Sequence, residues 1–454
     1  MNGEAGRRIR AWYLFDWANQ PYNTLLLTFI FAPYFTSAVA PDPVTGQAMW
    51  GWMLAITGVC IALTAPVMGA IADSTGRWRP WLALWSVMYV VGAAALWWAA
   101  PGMEGVWIIL LAFAIGMVGL EFGIVFANAL LPGLAPRAAL GRISGTGWAI
   151  GYAGGVVALL VILLFLAEGD DGRTLIGLAP PFGLDAEARE GTRAVGPFSA
   201  LWYAVFALPL FLVIPEHRRP ASAPGATRRA ILELGATLRA LPRHPSLLAY
   251  LGSSMFYRDG LNGIFAFGGI YAAGVLGWSV TQIGVFGITA AVVGAVACWL
   301  GGRADSAYGP KPVIVTGILG LMAVCLVVLA TDRSMVLGIP VTPGSRLPDV
   351  AFYLCGAVIG AAGGTLQAAS RTMMVRQANP ARMTEAFGLY ALSGKVTAFL
   401  APGLVALATQ LTGDQRLGVA PLIGLFAIGL ILLIFVKPQG EEASAWEPST
   451  DTAR

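Results

Sequence analysis

The sequence predicts an all-α integral membrane protein of twelve transmembrane helices. They form two six-helix bundles, with both chain termini in the cytoplasm. Three observations lead there. First, the 454 residues are 57% hydrophobic and only 11% charged, where soluble domains carry about 25% charged residues. Mean hydropathy of +0.72 over this length fits a polytopic helical membrane protein. Second, runs apolar enough to cross a bilayer recur at 12–39, 48–72, 80–100, 105–131, 142–167, 197–215, 246–275, 280–302, 311–331, 349–375, 384–410 and 417–436. Third, Lys and Arg alternate between loops. Nineteen of the 28 fall on the side of the N-terminus, six on the opposite loops and three inside spans. The basic side is the cytoplasmic one.

Each segment has its own justification. The start "MNGEAGRRIRAW" is basic but lacks a short apolar region with a small-residue cleavage site, so no signal peptide is expected and the first span is retained. Residues 1–215 form the N-terminal bundle. Residues 216–245 form a cytoplasmic linker, basic and Pro-bearing, with the amphipathic stretch "TRRAILELGATLRAL". Residues 246–436 form the C-terminal bundle, and 437–454 a disordered cytoplasmic tail. The loop 168–196 faces outside. The net charge of +4 is sorted by loop and is no sign of nucleic-acid binding. Cys60, Cys298, Cys325 and Cys355 lie in apolar runs without paired spacing and read as small core residues. His217 and His244 both fall in the linker, so no metal site and no cofactor is expected. No nucleophile–base constellation and no "GxxxxGK[ST]" loop appears, which argues against an enzyme or an ATP-driven pump.

The halves repeat one another. "GAIADSTGRWRP" at 69–80 is matched by "GGRADSAYGPKP" at 301–312. Asp16 and Asn19 are matched by Asp259 and Asn262; Gly116, Gly119 and Pro136 by Gly360, Gly363 and Pro380. Two parallel six-span repeats joined by a cytoplasmic linker resemble the layout of the major facilitator superfamily. The loop with Gly69, Asp73, Gly76, Arg77 and Arg79 resembles that superfamily's signature between spans 2 and 3. Asp73 stands where it can pair with a basic residue or an adjacent helix N-terminus. Asp73, Arg77 and Arg79, with Asp305 and Lys311 in the second copy, are therefore the expected latch.

Ionisable residues inside spans are functional by default. Asp16 lies in span 1, Glu121 in span 4, Arg258 and Asp259 in span 7, and Lys395 in span 11. Arg371 and Glu385 stand near span ends and are expected to anchor at the membrane edge. Asp16, Asn19, Gln20 and Asn23 follow i, i+3/i+4, i+7 and make one polar face; Asp259 and Asn262 do the same. In facilitator folds spans 1, 4, 7 and 10 line the central cavity, so Asn128 and Gln367 join this set. Asp16, Glu121 and Asp259 are candidate proton carriers. Lys395 and Arg258 are candidates for a substrate carboxylate or for compensating a deprotonated acid. Pro21 can loosen the local helix ladder. Gly147, Gly151 and Gly155 give span 5 a small-residue seam. It lacks the Gly-Pro pair of the superfamily's antiporter signature.

Four longer segments carry a closer resemblance: "LFDWANQPYNTLLLTFIFAPYF", "VFANALLPGLA" with "GRISGTGWAIGYAGG", "YRDGLNGI", and "QAASRTMM" with "EAFGLYALSGKVTAFLAP". They resemble the vacuole-effluxer-like branch of the major facilitator superfamily. That branch is named for fungal autophagy-related proteins implicated in amino-acid release from the vacuole. Ala127 stands where the branch pattern has an aromatic before the asparagine. The resemblance implies a secondary transporter of a small polar solute, an amino acid by preference. It would work by alternating access in a bacterial cytoplasmic membrane, coupled to H⁺ or else Na⁺. It is expected to be a monomer with no partner beyond substrate, ion and lipid bilayer. The charge layout is also similar to glycoside–cation symporters, which keeps a sugar open as substrate. A non-transporting or lipid-scrambling protein on the same fold is the alternative of another class.

Overall fold

Proline and glycine set where the helices start and stop. Six of the long helices open with proline in their first two positions, where its missing N–H would have no intrahelical acceptor anyway. The turns that end the Ala-Asp-Ser repeats need a positive φ, supplied by Gly76 (φ 64°) and Gly309 (φ 89°). In a computed structural model, residues 3–169, 172–216, 226–278 and 280–441 are described.

The described residues are mostly helical. In order it forms α1 (Gly3–Pro21), α2 (Phe31–Tyr34), α3 (Pro43–Thr75), α4 (Arg79–Ala95), α5 (Trp107–Ala129), α6 (Leu140–Phe165), α7 (Glu190–Arg193) and α8 (Val195–Val213). There follow α9 (Ala226–Ala240), α10 (Pro245–Gly274), α11 (Val280–Tyr308), α12 (Pro310–Leu329), α13 (Leu347–Gln377), α14 (Met383–Val396), α15 (Leu400–Thr412) and α16 (Ala420–Ile434). A two-residue hairpin, β1 (Met335–Val336) antiparallel to β2 (Ile339–Pro340), caps the α12–α13 loop.

Among the described residues, ten helical segments are long and apolar enough to cross a membrane. Their outward faces carry large apolar side chains such as Trp52, Leu63 and Leu212, each about 70% exposed, as lipid-facing helices do. The expected spans missing from those ten are 12–39 and 246–275, the two that carry the polar stripes. Both are helical nonetheless. α10 runs unbroken for 30 residues. α1 passes into π-helical turns over Tyr22–Phe29 directly after Pro21; Ile30 N–H donates to Leu25 O at 3.0 Å, one residue wider than an α-turn.

Two compact units divide the chain. Unit 1 comprises Met1–Thr64, Thr75–Leu130 and Ile150–Ala223; unit 2 comprises Ala65–Ser74, Leu131–Ala149 and Pro224–Arg454. The sequence boundary near 215 puts residues 65–74 and 131–149 with the N-terminal bundle, but by packing they belong with unit 2. In unit 1, α4 packs on α5 and α8, and α1 on α8. In unit 2, α13 packs on α11 and α12, while α10 packs on α16, α14 and α15.

The paired glycines of the two halves both mark close helix approach. A Cβ at Gly116 would meet the Tyr22 side chain and one at its counterpart Gly360 the backbone of α11 at Ala290; a Cβ at Gly119 would meet the backbone of α4 at Trp85 and Tyr89, and one at its counterpart Gly363 the Leu261 and Phe265 side chains of α10. The neighbouring helices are not equivalent, so the same device serves different contacts. Cys60 is exposed, contrary to the core reading, because it lies on the outward face of α3; the other three cysteines are buried.

The chain just past α16 is tied down. Gln377 accepts from Ser246 Oγ at 2.7 Å and donates to Lys437 O at 2.7 Å. Lys437 N–H donates back to Ser246 Oγ at 2.8 Å, and Ser246 N–H donates to Glu441 at 3.2 Å. The remainder of the expected tail, 442–454, and linker residues 217–225 lie outside the described residues.

Candidate functional site

The polar stretch of α1 lies within unit 1 and faces the glycine seam of α6. A Cβ at Gly151 would stand 3.4 Å from Asp16 O and 3.7 Å from Gln20 Oε1, and one at Gly155 would stand 2.5 Å from Thr24 Oγ1. Asp16, Gln20 and Asn23 are half-buried. Asn19 turns inward instead: it is 4% exposed and donates to Phe15 O of its own helix at 2.7 Å. The single polar face drawn from periodicity is therefore split. Beyond Pro21 the wider π-turns also rotate later side chains away from an ideal 3.6-residue spacing. Glu121 is half-buried on α5 and Asn128 buried near its end. Trp12 Nε1 donates to Ala127 O at 2.8 Å, tying α1 to α5 beside Asn128.

In unit 2 the charged residues of α10 meet α14 and α15. Arg258 stacks its guanidinium over the Tyr390 ring, 4.2 Å from the centroid, and donates to Tyr390 O at 2.8 Å. A Cβ at Gly394 would lie 2.5 Å from the guanidinium carbon, so a glycine there lets the group lie flat. Lys395, the next residue, is half-buried.

The span expected at 384–410 is not one continuous helix: α14 stops at Val396 and α15 starts at Leu400. Pro402 accounts for the break. It has no N–H for the Ala398 carbonyl, and its ring would clash there in a continuous helix. Asp259 caps the restart, with Oδ2 accepting from Ala401 N–H at 3.0 Å. Asp259 is 1% exposed, and its Oδ1 has no hydrogen-bond partner among the described residues. Asn262 is exposed and Gln367 half-buried. Asp259 and Arg258 thus converge on the α14–α15 break.

Both Ala-Asp-Ser turns lie against helix starts. Asp73 accepts from Thr384 N–H at 3.2 Å and from Glu385 N–H at 2.8 Å, at the N-terminus of α14. Gly69 and Gly388 allow the backbones of α3 and α14 to touch there. In the second copy Asp305 abuts Gly141 at the start of α6, and Arg142 N–H donates to Ser306 Oγ at 2.8 Å. The copies are unequal. Asp73 takes both helix N–H groups, whereas Asp305 binds Thr372 through one oxygen and leaves Oδ1 buried and unpartnered among the described residues.

The basic members of the expected latch go elsewhere. Arg79 donates to Ile214 O at 2.7 Å, at the end of α8 in unit 1. Arg77 is exposed. Lys311 donates to Val436 O at 2.7 Å and Ile434 O at 3.2 Å, where it neutralises the C-terminal carbonyls of α16.

Replacing Asp73 with Asn keeps one acceptor but removes the charge from the helix N-terminus. This should cost about 1 kcal/mol and slow transport about fivefold in initial-rate measurements on proteoliposomes. A variant running at the wild-type rate would exclude Asp73 from the cycle.

Arg371 and Glu385 are not membrane-edge anchors: they are 5% and 2% exposed. Their helix faces, which position along the span does not reveal, turn into unit 2. Arg371 donates through Nε to Ser144 Oγ at 2.9 Å and through Nη2 to Ser144 O at 3.0 Å. Ser144 Oγ passes the bond on to Ala368 O at 2.7 Å. Trp148 lies beside the guanidinium, 5.9 Å from ring centroid to carbon. Sequence reasoning missed this clasp; its available signal was an arginine flanked by small residues in "QAASRTMM". No group of three or more His, Cys, Asp or Glu that could hold a metal ion occurs among the described residues.

Comparison with known proteins extends these observations. A family model described as vacuole effluxer Atg22 like matches residues 38–444. The uncharacterized MFS-type transporter YxiO of Bacillus subtilis (strain 168) is 25% identical over 436 residues, covering 94% of each chain. Autophagy-related protein 22 of Cryptococcus neoformans var. neoformans serotype D is 26% identical over 318 residues. That match covers 67% of this chain and 52% of the fungal protein, so the chain spans about half of that relative's length. Among solved structures, the human organic anion transporter MFSD10 has a TM-score of 0.70 at 17% identity, covering 95% of this chain and 100% of that one. FucP, a major facilitator superfamily transporter in its outward conformation, has a TM-score of 0.68 at 15% identity, with 96% and 98% covered. At such identities the likeness is one of fold.

Proposed function

The chain belongs to the Atg22-like vacuole effluxer family of major facilitator transporters, and from that membership we propose that it moves a small amino acid by proton-coupled alternating access. The reading takes the protein as a monomer of twelve spans in a bacterial cytoplasmic membrane, with both termini inside. Arg258 and Lys395 offer cations to the substrate carboxylate; Asp16, Glu121 and Asp259 are the carriers available for a proton.

One observation supports this reading most. Asp259 is buried in α10, which this reading takes as a span, keeps one oxygen unpartnered among the described residues, and caps a broken helix beside Arg258. Acids inside a membrane are costly and persist where ions or substrates are handled. Half-helices that meet at such a break are the usual place for a transporter to bind its cargo.

Flux into proteoliposomes tests it. Accumulation of a labelled amino acid should rise several-fold when an inward proton gradient is imposed. Normal transport that ignores the gradient would remove proton coupling. Transbilayer lipid movement without solute flux would put the protein in the scrambling class.

A further inference from the structure

The linker helix α9 is too short to cross a membrane. Its 15 residues, Ala226–Ala240, fall below the roughly 20 that a span needs. Yet it presents large apolar side chains outward: Leu232 is 62% and Leu238 46% exposed. Another side of the helix is committed to unit 2. Leu234 is buried there, and Thr237 Oγ1 accepts from Arg382 Nη1 at 2.8 Å. These two ties fix which way the exposed leucines point.

The outward side is also basic. Leu232 and Arg239 are seven residues apart, two helical turns, so they share a face. Arg239 and Arg243 are both exposed, and neither forms an ion pair among the described residues. Between positions 226 and 244 the sequence sets four arginines, Arg228, Arg229, Arg239 and Arg243, against one acid, Glu233. A short tether places this face. Leu241–Arg243 and His244 are all that separate α9 from α10, which starts at Pro245. Four residues reach at most about 14 Å. With α10 taken as a span, α9 ends within that distance of the lipid headgroups.

We propose that α9 is an interfacial helix that binds anionic phospholipid. Leu232 and Leu238 enter the boundary between headgroups and acyl chains, and Arg239 and Arg243 meet the lipid phosphates. Charge and apolarity together select this partner. A zwitterionic surface leaves the excess of arginine without counter-charge, and a soluble anion offers nothing to the leucines. Helices of this kind bind through buried apolar area plus attraction to anionic lipid, and basic segments next to a span are drawn to an anionic leaflet. The arginine stems can lie along the apolar boundary while their heads stay at the phosphates. Placing α9 beside a bilayer rests on reading α10 as a span; it does not depend on what is transported.

Hydrogen exchange of the full-length protein in nanodiscs tests the contact without measuring flux. Exchange over residues 226–240 should slow about tenfold when phosphatidylcholine discs are replaced by discs that also contain phosphatidylglycerol. Arg239→Gln combined with Arg243→Gln, both at exposed positions, should abolish the difference. Leu232→Ser keeps every charge and should reduce the slowing about threefold. Soluble hexaglutamate added to phosphatidylcholine discs should not reproduce it. Equal exchange in the two kinds of disc, or a full lipid effect in the doubly substituted chain or in Leu232→Ser, overturns the proposal. Equal slowing by hexaglutamate overturns it too, and assigns the face to an acidic protein segment. Failure of the transport reading would show separately, in the proteoliposome flux.

Discussion

Asp259→Asn should abolish accumulation driven by a proton gradient, by at least about tenfold, while leaving the protein folded. The physical grounds are specific to this side chain. An asparagine still offers Oδ1 to the Ala401 N–H, so the restart of α15 stays capped. It also fits the same buried volume. What it cannot do is take up and release a proton. Solute counterflow, which needs no net proton movement, should therefore survive better than gradient-driven uptake, and the ratio of the two is the informative quantity. If both fall together, Asp259 is a structural cap or a substrate ligand and the proton travels elsewhere. If neither falls, it has no part in the cycle.

Arg371→Ala carries the largest expected structural effect. The guanidinium is buried and gives Ser144 two hydrogen bonds, to its hydroxyl and to its carbonyl. Truncation removes both bonds from the buried Ser144 and opens a void beside Trp148. Such losses cost about 2–4 kcal/mol, which should lower the thermal unfolding midpoint by several degrees. Transport should fall with it, because the clasp holds the start of α6 against α13. Arg371→Lys restores the charge without the forked geometry and should recover less than half of the lost stability. Full recovery by lysine would show that charge alone matters there.

Much of the helix layout was legible because hydropathy and loop charge are properties of composition. The paired Ala-Asp-Ser turns stood out for a different reason: a positive-φ glycine and a helix-capping acid are each required by local geometry, so the letters survive in both halves. Other features were hidden. Asn19 faces inward because the face a side chain occupies depends on neighbouring helices, which periodicity does not contain. Arg371 looked like an edge residue because distance from the helix end carries no information about its face. The break after Val396 could have been found: Pro402 lies in the run read as one span, and its effect on the Ala398 carbonyl follows from elementary sterics. The open oxygen of Asp259 could not, since it depends on what α15 and α16 leave beside it.

The tie between Ser246, Gln377, Lys437 and Glu441 has a practical consequence at the bench. α16 ends at Ile434, yet the polypeptide is held in place for seven residues more. An affinity tag or fluorescent reporter should be fused after Glu441. A junction made directly behind α16 would strip Gln377 and Ser246 of their bonds to Lys437 and Glu441, and any lost activity would then be blamed on the reporter.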